Sequence, residues 1–128
     1  MNSGRGMTEL TDKIVALVAK AGVATGLCNV FLHHTSASIV ICENSDPDVQ
    51  YDLETFMQRL AIDGDSRYKH IAEGADDMSA HIRTVLTQNS ISIPVTETKL
   101  ALGTWQGIYL WEHRVRPYER KVTITIQG

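Results

Sequence analysis

The chain predicts an α+β fold, a mixed and largely antiparallel β-sandwich carrying about three helices. Three observations lead there. The last segment, Lys121 to Gln127, alternates cleanly, with Val122, Ile124 and Ile126 on one face and Lys121, Thr123 and Thr125 on the other. Three other stretches carry helix-start residues followed by apolar positions at three- and four-residue spacing. Strands and helices do not alternate regularly, as a parallel βαβ sheet would require. With 128 residues and 14.2 kDa, one domain over residues 1–128 is expected. Area scaling allows it to fold to about 6,800 Å² of surface, burying about two-thirds of the unfolded area.

The first helix is expected to begin between Thr8 and Thr11, either of which serves as an N-cap. Ile14, Leu17, Val18 and Ala21 form its apolar face, and Gly22 stops it in a left-handed conformation. The few residues before it predict no strand. LCNVFLHH and ASIVIC then read as strands joined at Thr35-Ser36. Both parities carry apolar residues, so both strands are expected to be covered on two faces. Asp46-Pro47-Asp48 starts a second helix, with Asp46 as N-cap and Pro47 in the first turn. Its buried stripe is expected to be Val49, Leu53, Phe56 and Leu60. A polar stretch leads to a third helix near Asp76 or Asp77, with Met78, Ile82, Val85 and Leu86 as its apolar face. ISIPV, a segment around Leu100 to Leu102, IYLWEH and KVTITIQ complete the strands. Pro94 belongs at an edge or a bulge.

Net charge −3 and pI near 5.9 exclude the cationic footprint a nucleic-acid module needs. No apolar run reaches the ~20 residues that span a bilayer, and the N-terminal residues carry no hydrophobic leader segment. A cytoplasmic protein with Cys28 and Cys42 reduced is expected.

Five histidines dominate the candidate chemistry. His33 and His34 point to opposite strand faces, and periodicity does not choose between them. His81 lies on or beside the apolar face of its helix, and Asp77, one turn earlier, stands where it can orient the ring. His70 precedes that helix and His113 ends a strand. Three neutral imidazoles from a strand, a loop and a helix would suit a catalytic zinc with an open position. The competing reading is a set of hydrogen-bonded core or rim histidines. Glu43, Asn44 and Asp46, and Glu73, Asp76 and Asp77, offer acid–base groups or simple caps. His34, Ser36 and Ser38 share one strand parity and no G-x-S-x-G elbow is present, which argues against a serine hydrolase. Gly103-Thr104-Trp105-Gln106-Gly107 can expose amides to an anion or serve as a plain hairpin. Arg114, Arg116, Arg120 and Lys121 can attract phosphate or line a solvated edge.

HTSAS (His34–Ser38), EN-x-DPDV (Glu43–Val49), Y-x-H-x-x-EGADD-x-x-AHI (Tyr68–Ile82), IPV (Ile93–Val95), LGTWQGIYL (Leu102–Leu110) and EHR (Glu112–Arg114) together resemble the YjbQ family of small trimeric proteins. The resemblance implies an α+β sandwich assembling as a homotrimer, with polar residues gathered near the subunit contacts. Family members carry a strand before the first helix, which is not expected here. The motif histidines fall on His34, His70 and His81, which the resemblance implies share a metal or anion site. For an enzyme the expected catalytic set is His34, Glu73, Asp77 and His81, with Asp77 orienting His81 and Glu73 as a base. The substrate-binding set expected from the residues themselves is Ser36, Asn44, Thr104, Trp105, Gln106, Gly107 and Arg114. The family's catalogued activity is a secondary thiamine-phosphate synthase, which joins a pyrimidine diphosphate to a thiazole phosphate and releases pyrophosphate.

Two other functions compete with that transferase. Histidine ligands favour zinc, whereas pyrophosphate departure leans on magnesium, so a metal-assisted phosphate-ester hydrolase fits the ligand types better. The third reading is a non-catalytic trimer that binds a small anion. All three expect a small phosphorylated partner, and neither nucleic acid nor membrane.

Overall fold

In the computed structural model, which describes residues 2–128, two antiparallel sheets face each other across one core. The elements run β1 (Gly6–Glu9), α1 (Thr11–Ala21), β2 (Thr25–Leu32), β3 (Ala37–Glu43), α2 (Pro47–Leu60), α3 (Asp77–Leu86), β4 (Ser90–Thr96), β5 (Lys99–Leu100), β6 (Gln106–Glu112) and β7 (Val122–Gln127). One sheet has the order β1-β6-β3 and the other β5-β4-β2-β7. Alternation along each strand sends Cys28, Val30 and Leu32 of β2, Ile91, Ile93 and Val95 of β4, and Ile39, Ile108 and Leu110 of β3 and β6 into the shared core. Ile14 and Val18 of α1 close it. The mixed α+β expectation holds.

The strand β1 was not expected. Gly6–Glu9 is too short to show a period, and its place is fixed by pairing with Tyr109–Glu112 of β6. Neither Thr8 nor Thr11 caps α1: the N-cap is Leu10, and the Thr11 hydroxyl accepts the Ile108 N–H at 2.9 Å and donates to Glu9. Ile14 and Val18 are buried, whereas Leu17 and Ala21 are exposed. Gly22 ends the helix at φ 69° as expected.

β3 is covered on both faces, but β2 only on one. The outer side of the first sheet packs Val40, Tyr109 and Trp111 against Met57 of α2, while Leu27 and Phe31 on the outer side of β2 are exposed. Pro94 sits where the two-residue β5 stops. Its carbonyl accepts from Ala101, and no N–H is needed there.

α2 starts as read: Asp46 accepts the Asp48 N–H at 2.9 Å with Pro47 in the first turn. Its expected stripe is not buried within the chain, for Leu53, Phe56 and Leu60 are exposed and Met57 is the buried residue. α3 inverts its expected face. Asp77, Ser79, Ala80 and Arg83 are buried, while Val85 and Leu86 stand 84% and 56% exposed. The inversion has a physical reason: Arg83 meets Glu54 of α2 at 2.9 Å, and Asp77 meets two histidines and Arg114. Charge pairing between elements decides the face. Two of the four basic residues near the C-terminus also turn inward, since Arg120 pairs with the buried Glu112 and Arg114 with Asp76 and Asp77.

Gly26 marks a close approach between strands. A Cβ there would lie 1.8 Å from the Gln127 carbonyl oxygen, so β7 must part from β2 to admit any side chain. Gly26→Ala is expected to lower stability by about 3 kcal/mol, read from the urea midpoint. Gly22→Ala meets nothing within 4 Å and strains only its positive φ, so it should cost about 1 kcal/mol. Equal losses for the two would contradict this packing.

Candidate functional site

The segment between α2 and α3 is tied down at several points before it delivers His70. Gly64 N–H bonds the Ala75 carbonyl at 2.8 Å, and the Tyr68 hydroxyl donates to the Ile62 carbonyl at 2.8 Å. Arg5 grips Asp63 through two nitrogens at 2.7 and 3.0 Å, and Ser79 of α3 donates to the same carboxylate. The loop is therefore anchored to α3 and to the N-terminal segment.

His70, Asp77 and His81 form the one group of metal-ligating side chains among the described residues whose donor atoms all lie within 4.8 Å of one another. Asp77 Oδ2 stands 2.7 Å from His70 Nε2 and 3.0 Å from His81 Nε2. Asp77 Oδ1 accepts from Arg114 Nη1 at 2.8 Å. The carboxylate is buried, whereas the His70 and His81 side chains are 48% and 30% exposed. Burial works to raise the Asp77 pKa. The hydrogen bond from His70 and the charges of His81 and Arg114 outweigh it, holding the carboxyl below its ordinary value.

His81 carries the most informative geometry. Its Nδ1 lies 2.8 Å from the Thr35 carbonyl oxygen, which can only accept, so Nδ1 bears a proton. In the neutral ring Nε2 is then a lone pair, and it faces a carboxylate oxygen. Either a second proton or a cation must lie between them. An imidazole fixed through Nδ1–H on a main-chain carbonyl, with Nε2 presented forward, is the usual posture of a metal-ligating histidine. Two imidazole nitrogens and one carboxylate oxygen make a donor set for zinc or a neighbouring transition metal with a further position open. Ligands around such an ion stand about 3.3 Å apart. Relative to that spacing the pair at 2.7 Å would open by about 0.6 Å and the pair at 3.0 Å by about 0.3 Å, within reach of two partly exposed rings. The residues fit the group.

The other expected site residues are dispersed. His34 is not among the clustered donors, because its Nε2 accepts the Lys121 N–H at 2.7 Å. It lines a crevice of ≈ 330 Å³ that His81 also lines. Arg114 is committed to Asp76, Asp77 and the Glu73 carbonyl. The Glu73 side chain is exposed beside it, in a cleft of ≈ 390 Å³. Ser36 Oγ accepts from Arg120 at 3.0 Å. Asn44, Thr104, Trp105, Gln106 and Gly107 lie at the opposite end of the first sheet: Glu43 pairs with Gln106 there, while Ala37 pairs with Glu112 at the histidine end. Six residues of strand put about 20 Å between the two ends within one chain. The GTWQG turn closes on itself, with Gly103 N–H on Gln106 Oε1.

The sequence reading missed the buried chain from His113 Nε2 through Ser38 Oγ to Thr87, and the Thr35 carbonyl that orients His81. In the sequence Thr35 reads only as part of the junction between two strands, and a main-chain carbonyl leaves no signal in residue type. Cys28 and Cys42 are both free, one in each sheet.

The fold and this cluster define a two-sheet α+β protein with a histidine–carboxylate centre at one end of a sheet. The chain belongs to the family described as "UPF0047 protein YjbQ-like", whose profile matches residues 1–128. It is 50% identical to UPF0047 protein sll1880 of Synechocystis over 98% of this chain and 85% of that one. It is 42% identical to UPF0047 protein YjbQ of Escherichia coli O157:H7 over 97% and 90%. Among solved structures, a YjbQ/UPF0047 family protein of Clostridium acetobutylicum superposes with TM-score 0.86 at 38% identity, covering 94% of this chain and 90% of that one. The Aeropyrum pernix protein APE1520 gives TM-score 0.90 at 28% identity, covering 100% and 94%.

Proposed function

We propose that His70, Asp77 and His81 hold a divalent transition metal, zinc by donor type, in an enzyme that hydrolyses a small phosphorylated molecule. The observation that carries this reading is His81 Nε2 facing the Asp77 carboxylate at 3.0 Å while Nδ1–H is committed to Thr35, an arrangement that needs a second proton or a cation between the two atoms. When bound, such an ion supplies Lewis acidity toward a phosphoryl oxygen and a more acidic water. The protein's own groups set the frame. Arg114 fixes one carboxylate oxygen so that the other faces both rings, and Thr35 fixes the His81 ring plane. The exposed edge of His70 leaves the centre open to solvent and ligand. Of the reactions the family resemblance brings, thiamine-phosphate synthesis asks for magnesium and oxygen donors around a departing pyrophosphate. The nitrogen-rich set favours hydrolysis over it.

Metal analysis of the purified protein, followed by turnover of phosphate monoesters, tests this. Zinc near one per chain with chelator-sensitive release of phosphate is the expected result. Full activity in metal-free protein would exclude it.

Self-association accompanies this reading, as does a reducing, cytoplasmic setting in which both cysteines stay free. The isolated chain exposes 7651 Å², about 850 Å² more than a monomer of its mass normally leaves. The exposed side chains include Leu53, Phe56 and Leu60 of α2, and Val85 and Leu86 of α3. These are the faces expected to be buried, and a homotrimer is the state the resemblance implies. Light scattering at micromolar concentration should give about three times 14.2 kDa; a stable species of 14.2 kDa would refute it.

No helix among the described residues is long and apolar enough to cross a membrane.

A further inference from the structure

His34 occupies a position that the metal reading alone leaves without a role. The Lys121 main-chain N–H lies 2.7 Å from His34 Nε2 and can only donate. Nε2 must therefore carry a lone pair, and the proton of the neutral ring resides on Nδ1. Burial and the charge of Arg120 push the His34 pKa below its ordinary value, with Glu112 opposing, so the neutral ring persists. Among the described residues no acceptor takes the Nδ1–H. The ring lines the same ≈ 330 Å³ crevice as His81. Thr35 spans the two, since it follows His34 in the chain and its carbonyl orients His81.

The remaining walls of the crevice are Thr35, Thr84, Val85, Thr87, Gln88 and Asn89, with no carboxylate among them. The main-chain carbonyls of Gln88 and Asn89 accept from Ile39 and Leu32, and their side-chain amides have no hydrogen-bond partner among the described residues. The Thr84 and Thr87 hydroxyls donate to the Ala80 and Arg83 carbonyls, so the N–H groups of His34, Gln88 and Asn89 are the donors this crevice offers, and with no anionic group beside them they suit an oxyanion.

We propose that His34 is a fixed, neutral Nδ1–H donor to a phosphoryl oxygen of the ligand, and that this crevice is the phosphate subsite of the His70–Asp77–His81 centre. The inference rests on the metal-centre reading given above and assigns His34 a role distinct from ligation. Metal binding through Nε2 would displace the Lys121 N–H. Binding through Nδ1 would require a proton to leave a ring that has only one. Proton transfer to substrate from Nδ1 would likewise leave an imidazolate, so His34 polarises and positions and does not exchange protons. Neutral imidazole acts as an electrophile in this way elsewhere.

Two measurements on the full chain test it. Long-range proton–nitrogen correlation spectra of the wild-type protein at pH 7.5 should show His34 as the Nδ1–H tautomer; an Nε2–H tautomer or an imidazolium overturns the proposal. Calorimetry with inorganic phosphate on zinc-loaded protein should give at least tenfold weaker binding for His34→Ala, with zinc affinity unchanged. His34→Asn, whose amide nitrogen superposes on Nδ1, should recover most of the phosphate affinity. Loss of zinc affinity in His34→Ala would make it a ligand and overturn the assignment. Phosphate that binds wild type and His34→Ala alike, or binds neither, also overturns it. If the wild-type protein takes up no zinc, the metal reading fails by itself, and the phosphate titration on metal-free protein still decides the role of His34.

Discussion

Acidification from pH 7.5 to pH 5 is expected to remove about 2 kcal/mol of folding stability through His113 alone. The residue is fully buried at the end of β6. Burial, reinforced by the charges of Arg83, Arg5 and Arg120, pulls its pKa from 6.5 to about 3. The folded pKa lies below the unfolded one, so the unfolded chain binds the proton more readily. Stability is complete above about pH 6.5 and falls as pH descends toward 3, by about 1.4 kcal/mol per pH unit inside that window. His34 is shifted in the same direction and adds to the loss. Asp63, Asp76 and Asp77 are held below 3.8, so they stay ionised in both states at pH 5 and do not contaminate the measurement. The neutral ring has a structural use, since its Nε2 lies 2.8 Å from Ser38 Oγ, which reaches Thr87 at the end of α3. Urea midpoints at one protein concentration should separate the effect. Wild type loses about 2 kcal/mol more between pH 7.5 and 5 than His113→Gln, although the variant starts less stable. Parallel losses would show that His113 titrates normally. Should the variant fail to fold, the ring proton of His113 in wild-type spectra still reports whether it takes up a proton above pH 5.

What the sequence disclosed and what it hid divide along physical lines. Features set by a few neighbouring residues were legible: the Asp46-Pro47-Asp48 start of α2, the Gly22 stop of α1, the alternation of β7. The Asp77–His81 relation was legible too, because four residues make one helical turn. Features set by distant partners were not. β1 exists through pairing with β6. The inward face of α3 is chosen by Glu54 and Arg114, which periodicity reads as surface charges. His34 shares the HTSAS segment with Thr35, yet its ring is fixed by the amide of Lys121, 87 positions away. The apolar positions of α2 and α3 recur at helical spacing, but that spacing does not say whether the chain itself buries them: Leu53, Phe56, Leu60, Val85 and Leu86 are exposed within it.

Removal of any one donor from the histidine–carboxylate cluster is expected to weaken zinc binding at least 100-fold, about 3 kcal/mol. The variants are His70→Ala, His81→Ala and Asp77→Asn, the last keeping size while losing charge. Arg114→Met should cost about tenfold, because Arg114 does not bind the ion but holds Asp77 Oδ1 at 2.8 Å and so aims the other oxygen. His33→Ala is the control: its ring bonds Thr123 on the outer side of the second sheet and has no part in the centre. The double variant His70→Ala/His81→Ala should lose little beyond either single one, since one lost ligand already opens the site. Zinc at 100 times its dissociation constant should stabilise the wild-type fold by about 2.7 kcal/mol, and the three donor variants by far less. A thermal midpoint therefore reports binding independently of calorimetry. Metal competes with protons for the imidazole nitrogens, so affinity must also decline as the solution is acidified. If all five variants bind zinc as the wild type does, the rings around Asp77 are an ion-paired cluster that anchors α3, and the metal reading falls with the hydrolase built on it.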